Sequence, residues 1–484
     1  MGKEKVSNGE ISALGVTDSE LRIIFSRVAN KLLKNRVMTK KNILINLESL
    51  VEDPAPYASQ EGSEFKNLAD RVVELRKEGK FEEPPRDVHP LREAAVNFPI
   101  FGKEHIEAGA LEQMNIAMKL PVSVAGALMP DAHHGYGLPI GGVLATTKDT
   151  IIPFAVGVDI ACRMCLSIFD LPADVVDTEK DKLKSLLSKH TVFGMGGVVK
   201  SYHDASLFDR REWNSTKVIR SLKDKAYTQL GTSGTGNHFV EWGELKVADG
   251  ALEGILAGTY LALLSHSGSR GFGGNIANHY SEIAMKKTKL PPEAKHLAWL
   301  DMNTEEGQEY WLAMNLAGDY ASANHHEIHN KISTALQRSP VMIIENHHNF
   351  AWKETLVDGT EVMVHRKGAT PAGKGVLGII PGSMSTPGFV VRGKGEQNSI
   401  NSASHGAGRL MSRNAAFKTL QRDLVEAELL DKKITLLGSD LDEAPMVYKD
   451  IHAVMAAQTD LVEVLASFQP RIVRMADRKE RPED

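Results

Sequence analysis

The sequence predicts a mixed α/β or α+β body over about residues 96–476, with a helical extension over residues 1–95 and a charged tail over residues 477–484. Two observations carry this. From about residue 98 to 475, short β-branched and leucine-rich runs alternate with Gly-rich loops and helical patterns, and no strong linker interrupts them. Strands and helices interleaved in this way belong to one compact unit. The first ninety or so residues carry helix signals instead.

In the extension, Thr17-Asp-Ser-Glu20 reads as a capping box, and Leu21, Ile24, Val28, Leu32 and Leu33 then fall on one helical stripe. A second, charged helix over residues 64–79 ends in Lys80-Phe-Glu-Glu-Pro-Pro-Arg, a linker signal. These helices are expected to pack on the main body rather than to carry chemistry. A 42% hydrophobic and 25% charged composition is ordinary for a soluble globular protein. No apolar run approaches the roughly 20 residues that span a bilayer, and the N-terminus has no signal-peptide h-region. Two cysteines cannot form a disulfide framework, so a cytoplasmic location with no membrane partner is expected. A net charge of −5 excludes a general coat of nucleic-acid affinity but not a local basic groove.

Within the body, four stretches each meet a residue that binds metals well. Phe154-Ala-Val-Gly-Val runs into Asp159-Ile-Ala-Cys162, and Thr259-Tyr-Leu-Ala-Leu-Leu into Ser265-His266. Val341-Met-Ile-Ile leads to Asn346-His347-His348-Asn349. The turn Gly231-Thr-Ser-Gly-Thr-Gly236 leads to Asn237-His238, followed by Phe239-Val240. The apolar runs read as buried strands, which places these ligands at a sheet rim. A thiolate, a carboxylate and three imidazoles suit Mn, Fe, Co or Zn far better than Ca or Mg. Cys162 and Cys165 form a C-x-x-C, but strand alternation sends the thiols to opposite faces. Cys162 is therefore expected as the ligand and Cys165 as buried apolar filler. His325 and His329 share a helical face, yet Glu327 is one residue out for a zincin helix, so the segment reads as a solvated polar face.

Pro381-Gly-Ser-Met384 and His405-Gly-Ala-Gly-Arg409 present small residues whose amides can approach an anion. With His365-Arg-Lys-Gly368 upstream and Arg392, Lys394, Arg409 and Arg413 interspersed, they read as a site for several phosphates. His405 heads a glycine turn, where an imidazole can act as a nucleophile toward phosphorus or as a general acid.

These motifs, in this order, resemble the RtcB family of RNA-splicing ligases. The resemblance runs from about Phe98 onward through Gly102-Lys-Glu, Met129-Pro-Asp-Ala-His-His-Gly-Tyr-Gly, Val156-Gly-Val-Asp-Ile-Ala-Cys162, Gly231-Thr-Ser-Gly-Thr-Gly-Asn-His238, Ser267-Gly-Ser-Arg-Gly271, His348-Asn349, His365-Arg-Lys-Gly-Ala369, Pro381-Gly-Ser-Met384, Ser404-His-Gly-Ala-Gly-Arg409 and Asp442-Glu-Ala-Pro445. It implies the family's α+β fold, a single large mixed-sheet catalytic unit. It also implies joining of an RNA 3′-phosphate or 2′,3′-cyclic phosphate to a 5′-hydroxyl in splicing or repair, with GTP as cosubstrate and two Mn2+ per site. Carried over by motif, Cys162 bridges the ions, with His266 and His348 completing one and Asp159 and His238 the other. His405 forms a histidine–GMP adduct. GTP contacts fall on Asn237, His238, Phe239, Val240, Glu241, His348, Asn349, Pro381, Gly382, Ser383, Met384, Gly388, His405, Gly406, Ala407 and Gly408. An archease-type accessory protein is a further implied partner. The chain departs from the family at Ser385, at Gly388 where relatives carry a guanine-contacting serine, at Pro371, and in a tail reading Ile472-Val-Arg-Met-Ala476 where relatives carry a nucleotide-contacting lysine. A dinuclear-metal phosphohydrolase or RNA end-processing enzyme on the same metal site is the competing reading.

Overall fold

The computed structural model describes residues 5–14, 16, 18–35, 37–60, 62–78, 81, 88–478 and 480, and it divides into two compact units, Met1–Asp87 and Val88–Asp484.

The first unit is helical, with Ser19–Lys34, Lys40–Glu52 and Glu64–Lys77 as its longer helices. Asp18 caps the first of these by accepting from the Leu21 N–H, whereas Thr17 and the Glu20 side chain of the expected capping box lie outside the described residues. Leu21, Phe25, Ala29 and Leu32 point into a core shared with Ile43, Leu47, Leu68 and Val72. The stripe is thus centred on Phe25 and Ala29, and Ile24, Val28 and Leu33 flank it at the core margin.

The second unit is built on a large, mainly antiparallel sheet. Its strand order is Leu377–Ile380, Gly388–Gly393, Val462–Met475, Phe239–Val247, Gly258–Ser267, Arg163–Pro172 and Met342–His347. The outermost strands meet through one side chain: Asn346 Oδ1 accepts from the Ile379 N–H (2.9 Å) while its Nδ2 donates to Thr370 Oγ1 (2.8 Å). Bonding through an amide side chain there satisfies backbone groups that an open edge would leave to solvent. A four-stranded sheet, Ser123–His133, Ile140–Thr147, Glu361–Lys367 and Asn349–Thr355, carries the remaining motifs. The long helix Glu305–Leu336 packs on strand Gly258–Ser267.

One expected strand is a helical turn. Phe154 lies in Pro153–Val156, where Pro153 starts the helix and Gly157, at φ 107°, ends it. The proline ring favours a first helical position, and the positive φ is open to glycine at little cost. The apolar run therefore delivers Asp159 through a turn, and the strand begins only at Arg163.

Candidate metal centre and phosphate cavity

Asp159, Cys162, His238, His266 and His348 converge where the strands of the large sheet end. Two donor triples form, Cys162/His266/His348 and Asp159/Cys162/His238, with Cys162 common to both. Cys162 Sγ lies 3.1 Å from His266 Nε2 and 3.5 Å from His238 Nε2. His266 Nε2 is 3.3 Å from His348 Nε2, and His238 Nε2 is 3.1 Å from Asp159 Oδ2.

Local backbone explains the convergence. Ala161 adopts φ 57° and donates its N–H to Asn349 O (2.7 Å), and Cys162 N–H donates to Asp159 O (3.2 Å). This tight turn brings the carboxylate and the thiol to one side. His348 N–H donates to Cys162 O (3.0 Å), so two ligand-bearing segments hold each other. Asn349 ties the same turn down, donating to Asp159 O (3.1 Å) and accepting from Gly368 N–H (2.8 Å). Gly268 is required at its position, because a Cβ there would lie 2.1 Å from the Asp159 carboxylate oxygens.

The donor set fits a transition metal. His238 Nδ1 lies 2.7 Å from Ser233 O and His266 Nδ1 3.2 Å from Asn237 O. A carbonyl can only accept, so each Nδ1 carries the proton and each Nε2 offers a lone pair to the cluster. Lone pairs facing a carboxylate and a thiolate at these distances repel until a cation sits among them. Burial pushes His266 down to about 3 and His348 well below the usual imidazole range, which keeps both neutral. Burial raises Asp159, but the nearby Arg270 charge and its polar neighbours reverse this and hold it at about 2. His347 faces away and stacks on Trp352 with ring centroids 5.1 Å apart.

His405 stands beside this cluster, its ring centroid 4.9 Å from that of His348. Asp131, fully buried, accepts from His405 Nδ1–H at 2.7 Å and from the His405 backbone N–H at 3.1 Å. Burial alone would raise the Asp131 carboxyl; the hydrogen bond from His405 and the charge of Lys449 reverse that and lower it, so it stays ionised. The His405 proton is thereby fixed on Nδ1, and Nε2 is left as a lone-pair donor. The Met129-Pro-Asp131 motif gives Asp131 no role; only proximity across 274 residues reveals it.

Both features open into a cavity of about 580 Å3. It is lined by Asn237, His238, Phe239, Glu241, His348, Asn349, the Pro381–Met384 turn, Gly388 and the His405–Gly408 turn. Val240 stays outside, turned by strand alternation into a core with Trp242. The basic lining is narrower than the motifs suggested. Arg409 and Arg413 reach the cavity, but Arg409 pairs with Glu443 (3.3 Å) and Arg413 with Asp442 (2.9 Å) and Glu443. Arg392 instead pairs with Glu463 and Lys394 donates to Thr459 O, both away from it. Of the His365 motif, His365 accepts from Ile152 N–H and Arg366 is buried against Glu354 and Trp352, so both are structural. Lys367 alone of the three lines the cavity, donating to Tyr136 O, and burial pushes its amine down to about 7. Arg270, which enters from the Ser267-Gly-Ser-Arg motif, is a further cavity residue that sequence reasoning gave no role.

A transition-metal donor set within reach of an oriented imidazole and a partly basic cavity belongs to proteins that act on phosphate esters with a metal's help. The family model described as tRNA-splicing ligase RtcB matches residues 113–215 and 203–476. The chain is 36% identical to the RNA-splicing ligase RtcB of Escherichia coli K12 over 397 residues, covering 75% of this chain and 93% of that protein. It is 31% identical to the tRNA-splicing ligase RtcB of Thermococcus kodakarensis, covering 74% and 89%, and 30% identical to the RNA-splicing ligase RtcB homolog 1 of Entamoeba dispar, covering 74% and 80%. The chain belongs to the RtcB family. No helix among the described residues is long and apolar enough to cross a membrane.

Proposed function

We propose that this protein is a GTP- and Mn-dependent RNA ligase that joins a 3′-phosphate or 2′,3′-cyclic phosphate end to a 5′-hydroxyl end in RNA splicing or repair. The observation that carries the reading is the buried Asp131 carboxylate fixing the His405 tautomer beside the Cys162 cluster. In this reading Asp159, Cys162, His238, His266 and His348 would hold Mn2+, with Cys162 common to the two donor triples. The metal supplies Lewis acidity toward phosphate oxygens.

The chain's own residues then act in sequence. His405 Nε2 attacks the GTP α-phosphorus, the N–P bond forms, and the α–β P–O bond breaks to release pyrophosphate. As charge grows on the ring, Asp131 holds the Nδ1 proton and stabilises the cation. A 2′,3′-cyclic end first takes up water, its P–O2′ bond breaking to leave the 3′-phosphate and a 2′-hydroxyl, and GMP then passes from Nε2 to an oxygen of that phosphate. The 5′-hydroxyl then attacks that phosphorus and GMP leaves with the bridging oxygen. Glycine amides of the His405–Gly408 turn and Lys367 line the path of the phosphates. An archease-type partner and a cytoplasmic location belong to the same reading.

The test is incubation with α-labelled GTP and Mn2+, followed by denaturing electrophoresis. A covalent, acid-labile and alkali-stable label that His405→Ala abolishes is expected. Label persisting in His405→Ala overturns the nucleophile, and absence of label from the wild type favours a dinuclear phosphohydrolase.

A further inference from the structure

The Asn324-His-His-Glu-Ile-His329 segment is not a solvated face. Asn324, His325 and His329 are essentially fully buried, on the side of helix Glu305–Leu336 that packs under strand Gly258–Ser267. That strand carries His266, and alternation turns its neighbours Ser265 and Ser267 toward the helix.

A chain of hydrogen bonds runs through these groups. Ser167 Oγ lies 2.7 Å from His329 Nδ1, and His329 Nε2 lies 2.8 Å from Ser265 Oγ. Ser265 Oγ lies 2.7 Å from His325 Nδ1, and His325 Nε2 lies 3.1 Å from Ser267 O. The terminal carbonyl sets every proton. It can only accept, so His325 Nε2 donates and, in the neutral ring, His325 Nδ1 accepts from the Ser265 hydroxyl. Ser265 has spent its one proton, so it accepts from His329 Nε2–H, and His329 Nδ1 accepts from Ser167. Asn324 adds a second branch: Nδ2 donates to Ser267 Oγ (3.2 Å) and Thr232 O (3.0 Å), and Oδ1 accepts from Gly231 N–H (2.7 Å). Ser267 Oγ donates in turn to Ser233 O (3.2 Å), the carbonyl that also takes the His238 Nδ1 proton.

We propose that Asn324, His325 and His329 are positioning residues for the metal centre, a layer that fixes the backbone beneath His266 and the turn bearing His238 so that both rings aim Nε2 at the ion. The same cluster offers a competing use, since Cys165, His325 and His329 bring donor atoms within 4.8 Å of one another. Both nitrogens of both rings are already engaged, however, and burial holds the Cys165 thiol protonated. As built, the cluster serves hydrogen bonding.

The inference rests on the metal reading of the Cys162 cluster, and one experiment separates the two. The full chain, stripped with a chelator, is titrated with Co2+ while the thiolate-to-cobalt absorption of Cys162 is followed. Wild type should bind; failure to bind sinks the metal reading itself. Ser265→Thr and Ser265→Val share a shape and differ in the hydroxyl. The Thr variant should bind as wild type, and the Val variant about 10- to 100-fold more weakly, the usual effect of removing support behind a metal ligand. His325→Gln keeps the donor to Ser267 O and removes the acceptor for Ser265, so it should fall between them; it is the readout if Ser265→Val does not fold. Cys165→Ala should leave affinity and stoichiometry unchanged. Wild-type affinity in His325→Gln, and in Ser265→Val if that variant folds, overturns the positioning role. Loss of one metal equivalent in Cys165→Ala overturns it in favour of a separate metal site.

Discussion

Asp131→Asn isolates the charge behind His405. The amide oxygen can still accept the Nδ1 proton, which the carboxylate accepts at 2.7 Å, so the tautomer and the direction of Nε2 are kept. What is lost is the negative charge facing a ring that becomes cationic as phosphorus bonds to Nε2. Ring and carboxylate centres about 4 Å apart attract by roughly 4 kcal/mol at an effective dielectric constant of about 20. At about 1.4 kcal/mol per factor of ten, removing roughly 3–4 kcal/mol slows adduct formation by two to three orders of magnitude. The assay is single-turnover labelling with α-labelled GTP and saturating Mn2+, with a melting curve as the control for folding. A rate within about threefold of wild type in a folded variant would refute the reasoning, because a charge buried this close must act on a charged transition state if His405 is the nucleophile.

Other expectations follow from the same geometry. Cys162→Ala should lose metal binding and all nucleotide chemistry, whereas Cys165→Ala should keep both and cost on the order of 1 kcal/mol in a denaturant titration; equal metal loss in the two would indicate a C-x-x-C chelate. Burial holds the Lys367 amine neutral above about 7 in the folded chain, while the unfolded chain protonates it up to its ordinary value of 10.5. The unfolded state therefore binds more protons between those values and stability rises with pH there; Lys367→Met should flatten this rise, and urea midpoints with an unchanged slope would count against the shifted amine. Guanine selectivity should be weaker than in relatives with the serine and lysine, because Gly388 offers no side chain and Arg474 is turned away to Leu437 O and Met475 O, so that Glu241 would read the base without those two contacts. Each missing hydrogen bond is worth roughly 1 kcal/mol or somewhat more; adduct formation from GTP but none from ATP at high concentration would show the pocket to be strict.

Much of the centre was legible because its ligands sit where apolar runs stop, at His266 and His348, or begin, at His238, and strand periodicity exposes such positions. The Phe154 run failed that logic, since Pro153 and Gly157 convert it to a helical turn although its residues are as apolar as a strand's. The His325–His329 face defeats periodicity for a related reason. Polar residues at helical spacing look solvated until the facing surface is known, and here it consists of Ser167 and Ser265 on two neighbouring strands. Asp131 was hidden by distance along the chain, and the outward paths of Arg392 and Lys394 by the strand and loop they sit on. Ser385, a departure from the family, donates to Glu428 at 2.7 Å, a partner no motif contains.

The five converging donors come from positions 159 to 348, and none of them forms a chelating pair within a single helix or strand. An unfolded chain consequently presents an ion with no preformed grip, and the full donor set exists only when the large sheet has assembled. Metal saturation should then act as a ligand of the native state alone, raising the cooperative melting of the sheet-containing unit by an amount set by free metal over its dissociation constant. The helices of Met1–Asp87 keep an apolar core of their own. None of the five donors comes from that unit, so calorimetry across a metal series should show which transition climbs with the metal.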